Sequence, residues 1–143
     1  KGYIGFESDS QCFLYTLHYI HKILKWPIKY YKHVLTPLPF EEINKRNDKN
    51  VLSKIKTSLS NWEINGPNTT IGVLPDGTML NVADSKKLRP TVICKKDNMV
   101  IITSEICGVN EIMPERNIEE DIYTTERETV IIDNNLNIQR IPQ

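Results

Sequence analysis

The sequence predicts an α+β protein in which helices come first and an antiparallel β meander follows. Apolar residues recur at helical spacing in the first part of the chain. After Asn65-Gly66-Pro67, β-branched residues and turn signals dominate instead. At 143 residues the chain is long enough for a substantial core. We therefore expect one domain over residues 1–143, mainly helical over residues 1–64 and mainly β over residues 65–143.

Four helices are predicted before Asn65. The first follows a strand end at residues 3–6, runs to Leu24 and has the apolar face Phe13, Leu17, Ile20 and Leu24. Pro27 ends this helix, because the residue before a proline disfavours helical angles, and opens the second helix, which runs to Leu35. Two further helices are predicted at residues 40–47 and 51–59, the latter amphipathic.

Three strand pairs are predicted after Pro67. Asp76-Gly77 is a strong hairpin signal between strands at residues 69–74 and 78–82. The other two pairs join residues 88–94 to 99–103 and residues 129–132 to 136–141, in each case across a short turn rich in Asp and Asn. Residues 111–125 look irregular.

Composition excludes several classes of partner. Formal net charge is zero, so neither nucleic acid nor an anionic membrane is an expected partner. No apolar run approaches the length of a membrane span, and no signal peptide is recognisable. The three widely spaced cysteines, Cys12, Cys94 and Cys107, are typical of reduced thiols in a cytoplasmic protein. Because the first residue is Lys1 and not Met, we interpret the chain as a piece of something longer.

The turn Ser8-Asp9-Ser10-Gln11 is the candidate binding element. Ser8 and Gln11 form a capping-box pattern, which places Asp9 at the first helical position, facing the positive end of the helix dipole. A carboxylate at the end of a strand is well placed to bind a ligand ammonium group. The structural alternative is that Asp9 only complements the dipole, as acids in a first helical turn commonly do.

Other reactive side chains give weaker signals. His18 and His21 share a helix face, but no acid or thiol nearby completes a ligand set, so no metal site is predicted. Cys12 lies in the first turn of its helix, so a role as a nucleophile is not excluded, but a buried structural role is favoured. Arg89 is expected to act as a structural clamp, with Glu105 as its carboxylate partner.

Taken in order, these segments resemble the class II glutamine amidotransferase domain, an N-terminal-nucleophile glutaminase, in the version found in archaeal-type glutamate synthase. The motifs that carry the resemblance are Ser8-Asp9-Ser10-Gln11, Val34-Leu35-Thr36-Pro37 with Phe40-Glu41-Glu42-Ile43, Asn65-Gly66-Pro67, Asp76-Gly77, Asp84 with Leu88-Arg89-Pro90, and Ser104-Glu105. Their order and spacing extend from Gly5 to about Ile141. The resemblance implies the C-terminal half of a domain with an αββα sandwich fold.

The resemblance also implies a division of chemistry. Asp9 matches the carboxylate that binds the α-ammonium of glutamine. The family's nucleophile is a cysteine at the mature N-terminus, and position 1 here is Lys. The oxyanion-hole Asn-Gly and the arginine that holds the substrate carboxylate precede the Asp turn in the family, and Asn65-Gly66 is a different pair. This chain therefore has no predicted catalytic residue and should be inactive alone.

Partners follow from the same resemblance. Glutamine is the expected ligand, the missing N-terminal half is the expected complement, and an FMN-containing glutamate synthase subunit is the expected recipient of the ammonia. No cofactor is expected in this chain. Two alternatives stay open: an amidotransferase half that serves another acceptor, as in amidophosphoribosyltransferase-like proteins, or a non-catalytic descendant that binds an amino acid or a partner subunit.

Overall fold

The computed structural model describes residues 8–64, 67–86 and 90–142. It combines helices with antiparallel sheets, so the predicted α+β class is confirmed. The chain divides into two compact units, residues 1–64 and 65–143. The predicted strand end at residues 3–6 and the motif residues 65–66 and 88–89 lie outside the described residues.

The first unit, called the helical unit below, contains the predicted helices. They are α1 (Asp9–His18), α2 (Tyr31–Leu35), α3 (Phe40–Ile43) and α4 (Lys49–Ser58). A 3-10 turn over Ile28–Tyr30 leads into α2, and another over Ser60–Trp62 follows α4. The third helix is shorter than predicted, since residues 44–48 form turns.

α1 ends close to the predicted position, with a widened last turn. Residues Tyr19–Ile23 are π-helical, and the N–H of Leu24 donates to the carbonyl of Tyr19 (2.9 Å). Lys25 then adopts a left-handed conformation (φ 56°), which stops the helix before Pro27. On the predicted apolar face, Leu17 and Ile20 are buried.

Apolar side chains from several segments form the core of the helical unit. The phenol of Tyr31 donates to the carbonyl of Phe13 (3.0 Å) and ties α2 to α1. Lys56 on α4 donates to the carbonyl of Leu38 (2.8 Å), which fixes the connector before α3. The buried apolar side chains among the described residues of this unit are Leu17, Ile20, Tyr31, Val34, Leu35, Leu38, Ile43, Leu52 and Ile55.

The second unit, called the β unit below, contains two antiparallel sheets. The four-stranded sheet has the order β1-β2-β6-β7 and the three-stranded sheet the order β4-β3-β5. The strands are β1 (Thr69–Val73), β2 (Met79–Ala83), β3 (Val92–Lys96), β4 (Met99–Thr103), β5 (Ile122–Tyr123), β6 (Thr129–Ile132) and β7 (Ile138–Ile141). Helix α5 (Ile106–Ile112) lies between β4 and β5 in the chain.

The predicted single meander is wrong. The three predicted hairpins form, but β2 pairs with β6 and not with β3, in a register that puts Met79 opposite Ile132. After Ala83 the chain leaves the first sheet and builds the second sheet before returning. Helix α5 was not predicted, because its sequence carries an interior glycine and no capping signal.

Apolar side chains pack the two sheets face to face. Ile93 of the three-stranded sheet meets Val130 and Ile132 of the four-stranded sheet in one buried cluster. On the other face of the three-stranded sheet, Val109 and Met113 from α5 and its end cover Val92 and Cys94. The β unit is therefore layered as sheet, sheet and helix. Within the described residues, no helix combines the length and apolar character needed to cross a bilayer.

Candidate functional site

The candidate binding residue, Asp9, is the first residue of α1, as predicted. Ser8 before it is the N-cap and has an extended backbone (φ −146°, ψ 157°). Ser8, Asp9 and Ser10 are all exposed, and Asp9 is the acidic residue of the first turn. The carboxylate therefore stands at the positive end of the helix dipole and is open to solvent.

The Ser8 side-chain hydrogen bond of the predicted capping box does not form, so this part of the prediction is wrong. Ser8 makes no side-chain capping hydrogen bond. The N–H of Gln11 instead donates to the backbone carbonyl of Ser8 (3.3 Å). The first turn therefore closes through backbone groups. Within the described part of the chain, the Asp9 carboxylate has no hydrogen-bond or ion-pair partner.

α1 holds Asp9 in place through contacts further along the helix. Leu17 and Ile20 are buried, with 6% and 0% of their surface exposed, and Tyr31 binds the carbonyl of Phe13. The buried contacts of α1 therefore hold the helix and Asp9 in place, so a ligand that binds Asp9 does not have to order this segment. A carboxylate on a fixed helix end can accept charge-assisted hydrogen bonds from an ammonium group, each typically worth about 1.5–3 kcal/mol.

The other reactive side chains of α1 do not form a second centre. Cys12 is half-buried, so the prediction of a buried thiol holds only in part, and its carbonyl accepts a hydrogen bond from Thr16 (2.8 Å). His18 is exposed and His21 half-buried. Across residues 8–64, 67–86 and 90–142, no three His, Cys, Asp or Glu side chains are grouped so that they could hold a metal ion.

Asp84 is an organising residue whose role the sequence did not reveal. It lies directly after β2 and is only 2% exposed. Its carboxylate accepts hydrogen bonds from the N–H groups of Asn68 (3.0 Å) and Lys86 (3.2 Å), and its carbonyl accepts one from Arg127 (2.8 Å). The segment after the Asn65-Gly66-Pro67 motif is thus joined to the segment that begins at Asp84.

A second buried carboxylate, Glu128, lies just before β6. It is 1% exposed and accepts hydrogen bonds from the N–H (2.7 Å) and hydroxyl (3.1 Å) of Thr125 and from Arg140 (2.9 Å). Burial alone raises the pKa of Glu128, but the hydrogen bonds from Arg140 and Thr125 outweigh burial, and the net pKa lies below its ordinary value. Glu128 therefore stays ionised and clamps β7 to β6.

A third polar cluster joins α5 to β3. The guanidinium of Arg116 forms a bidentate pair with Asp121, in which Nε donates to Oδ1 (2.9 Å) and Nη2 donates to Oδ2 (2.9 Å), and its Nη1 donates to Oδ1 of Asn110 (2.9 Å). The hydrogen bonds from Arg116 lower the pKa of Asp121. Burial, and then the Asp121 carboxylate, raise the pKa of the Cys94 thiol to about 11. Cys94 is 0% exposed, and a thiol in this state is not a nucleophile.

Glu105 lies at the start of α5, where it is the N-cap, and it is exposed. Its N–H donates to the hydroxyl of Thr103 (3.0 Å) at the end of β4. Because Arg89 lies outside the described residues, the ion pair between Arg89 and Glu105 stays a prediction.

No protein-family model, curated protein or solved structure matches the chain. The family resemblance therefore rests on the sequence motifs alone.

Proposed function

We propose that the chain is the glutamine-binding half of a class II glutamine amidotransferase domain of the glutamate-synthase type. In the whole enzyme, glutamine would be hydrolysed through a cysteinyl thioester and the ammonia used for glutamate synthesis. This half would supply Asp9 as the group that binds the α-ammonium of glutamine. The observation that carries the proposal is the exposed Asp9 carboxylate at the start of α1, which has no hydrogen-bond or ion-pair partner among the residues that the structure describes.

Two features of the fold support the proposal. An αββα sandwich contains two antiparallel sheets packed face to face with helices outside, and the β unit has two such sheets with α5 on one outer face. Two of the motif segments also lie at ordered positions of the β unit. Asn68 binds the Asp84 carboxylate, and Asp76-Gly77 makes the turn between β1 and β2.

In the proposed enzyme, this half binds glutamine but supplies no catalytic residue. Electrostatic stabilisation of a tetrahedral intermediate is usually the largest catalytic contribution, and the family's oxyanion-hole residues lie outside this chain. We expect a complementary N-terminal half to supply the nucleophile, the oxyanion hole and the arginine for the substrate carboxylate. An FMN-containing glutamate synthase subunit would then receive the ammonia.

The proposal is tested by measuring the steady-state kinetics of glutamine hydrolysis in the parent protein that contains this chain. The unmodified protein is compared with the Asp9→Asn variant. Loss of one charge-assisted hydrogen bond should raise KM for glutamine by roughly 10- to 100-fold, with a smaller change in kcat. Asp48→Asn is the control, because Asp48 is also a carboxylate at a helix N-terminus, the N-cap of α4, and differs from Asp9 in being paired with Arg46 (2.9 Å).

Each outcome separates the proposal from the structural alternative. If Asp9 only complements the helix dipole, Asp9→Asn and Asp48→Asn will lower stability slightly and leave KM unchanged. A parent protein that hydrolyses no glutamine at all would instead favour the non-catalytic descendant.

A further inference from the structure

The charges of the chain are divided unevenly between the two units. Residues 1–64 contain ten Lys or Arg and six Asp or Glu, whereas residues 65–143 contain eight and twelve. The formal net charges are therefore +4 and −4, and they cancel in the whole chain. The expectation that no anionic membrane is a partner rests on this total. Because salt screens exposed charges beyond about 10 Å, a surface acts on a partner through its own charges and not through the total.

The positive charge of the helical unit is concentrated in α1 and the segment that follows it. Residues 10–40 contain four Lys and three His but no Asp or Glu. Lys22, Lys25 and Lys29 are exposed. Among the residues that the structure describes, none of these three forms an ion pair. An anionic partner of this segment therefore meets cations that no neighbouring carboxylate neutralises.

Two adjacent rows of side chains run along α1 and its π-helical last turn. Residues four apart lie on the same side of a helix, and this spacing gives the rows Leu14, His18 and Lys22, and Tyr15, Tyr19 and Ile23. The apolar members of these rows are unusually open to solvent, since Leu14 is 62% exposed, Tyr15 57% and Ile23 59%.

A tryptophan extends the second row. The rings of Tyr19 and Trp62 are stacked, with centroids 5.0 Å apart, and Trp62 is itself 38% exposed. Large apolar side chains and cations therefore lie together on one surface of the helical unit. This surface, called the α1 surface below, consists of Leu14, Tyr15, His18, Lys22, Ile23 and Trp62.

We propose that the α1 surface binds the anionic face of a phospholipid membrane, with α1 lying parallel to the membrane plane. Leu14 and Ile23 enter the boundary between headgroups and acyl chains, while Lys22 and the adjacent Lys25 contact anionic headgroups. Trp62 combines an apolar ring with one polar group, as side chains at this depth commonly do. The proposal is independent of glutamine binding, because it uses no residue of the Asp9 turn.

A lipid surface suits these side chains better than a nucleic acid does. Leu14 and Ile23 are aliphatic and offer no ring for stacking, whereas single-stranded nucleic acids stack their bases on aromatic side chains. The charged residues of the segment 10–40 are all Lys or His, and Arg is the residue favoured for bidentate binding of phosphates in nucleic acids. A membrane requires only that apolar side chains and cations share one surface.

Cosedimentation with phospholipid vesicles measures the binding. The 143-residue chain is mixed with vesicles of phosphatidylserine and phosphatidylcholine in a ratio of about one to two, and separately with vesicles of phosphatidylcholine alone. Binding to the anionic vesicles should be tighter by roughly 10-fold or more. It should weaken as salt is added, because salt screens the attraction between Lys and the headgroups.

Lys22→Gln/Lys25→Gln tests the cations. Removing two positive charges at the membrane surface should weaken binding to the anionic vesicles by roughly 30-fold. Lys49→Gln/Lys54→Gln is the matched control, because it removes two exposed Lys of the same unit from α4 and leaves the α1 surface unchanged. The control should alter binding by less than about 3-fold.

Leu14→Gln/Ile23→Gln tests the apolar contact and keeps every charge. Because two large apolar side chains no longer enter the lipid boundary, binding should weaken by roughly 10- to 100-fold. Val51→Gln is the control, since Val51 is 42% exposed and lies on α4, and it should leave binding unchanged. All of these variants replace exposed side chains, so each should keep the circular dichroism spectrum of the unmodified chain.

The proposal is overturned if the chain does not bind the anionic vesicles, or if it binds phosphatidylcholine alone equally well. Equal losses in a variant and its control would show that the α1 surface is not the site. The proposal is also overturned if single-stranded RNA or a second copy of the chain binds through Lys22 and Lys25 while the vesicles do not.

Discussion

The helical unit and the β unit are held together over different distances along the chain. In the helical unit, the side-chain hydrogen bonds that join elements, from Tyr31 to Phe13 and from Lys56 to Leu38, each span 18 residues. In the β unit, the corresponding spans include 12 residues, between Arg140 and Glu128, and 41 residues, between Lys95 and the carbonyl of Leu136. A contact between residues close in sequence leaves a pattern within a short stretch of the chain, from which it can be predicted. A contact between distant residues leaves no such pattern.

The two units also differ in how they place their ion pairs. Lys45 and Glu42 of the helical unit pair on the surface, with side chains 69% and 47% exposed. Arg116 and Asp121 of the β unit pair with side chains 2% and 1% exposed. A buried pair is costly to break because the remaining charge is left without water or a partner. The β unit should therefore be far more sensitive to single charge changes.

Asp121→Asn should have the largest effect on stability, because it leaves the Arg116 guanidinium buried without its carboxylate. Breaking a buried ion pair typically destabilises a protein by about 3–5 kcal/mol. Urea unfolding followed by circular dichroism should show a much lower midpoint. The matched control is Glu42→Gln, which breaks the exposed pair and should leave the midpoint unchanged.

The double variant Arg116→Met/Asp121→Leu sharpens this comparison. Because it removes both charges, it should be more stable than Asp121→Asn alone. If Asp121→Asn and Glu42→Gln have equal midpoints, the inferred contrast between the units is wrong.

The next effect concerns the cores of the two units. Ile132→Ala removes a fully buried side chain between the sheets, and Ile55→Ala removes one that is 2% exposed on α4. Each should cost about 2–5 kcal/mol. Amide hydrogen exchange should accelerate mainly in residues 65–143 for the first variant and mainly in residues 1–64 for the second. Acceleration across the whole chain by both variants would show that the two units unfold together.

Acid should weaken the β unit through Asp121 and Glu128. Hydrogen bonds from Arg116 lower the pKa of Asp121, and those from Arg140 and Thr125 lower the pKa of Glu128 against the opposing effect of burial. Because both folded-state pKa values lie below the unfolded ones, the stabilisation is present above the ordinary carboxylate range and is lost as pH falls through the folded values. Unfolding free energies measured from pH 7 down to pH 2 should fall, and Glu128→Gln should flatten that dependence. An unchanged slope in Glu128→Gln would contradict the assignment.

The smallest effects come from two glycines with opposite expected signs. Gly77 has φ 86° in the turn between β1 and β2, and a Cβ there would collide with the side chain of Asn134. Gly77→Ala should therefore destabilise the protein by about 1–2 kcal/mol. Gly108 lies inside α5 with nothing near an added Cβ, so Gly108→Ala should stabilise it by about 0.5–1 kcal/mol. Thermal unfolding of both variants measures the two signs, and a shared sign would contradict this reading of the two backbones.

The features that were predicted correctly are those with local signals. Pro27 marks the end of α1, Asp76-Gly77 makes its hairpin, and the residue after Ser8 begins a helix. The pairing of β2 with β6 was missed because no signal near Met79 identifies Ile132 as its partner. Helix α5 was missed because its stability comes from burying Val109 on the sheet and not from its own sequence.

The functional and polar residues also divide into those that a local sequence pattern predicts and those that it does not. Asp9 was found from a local turn pattern and from the order of motifs along the chain. Asp84, Glu128 and Arg116 were not recognised as buried polar residues, since a charged residue in sequence is ordinarily a surface residue. Their burial depends on partners such as Asn68 and Arg140, which the fold brings from distant positions.

The most direct test of the proposed function is ammonia release from glutamine, measured for this chain alone and then mixed with the N-terminal half of the parent protein. We predict no activity in the chain alone and activity in the mixture that falls sharply with Asp9→Asn. Hydrolysis by the chain alone would contradict the account and would direct attention to Cys12 as the nucleophile. An inactive mixture would contradict it as well and would favour a non-catalytic binding protein.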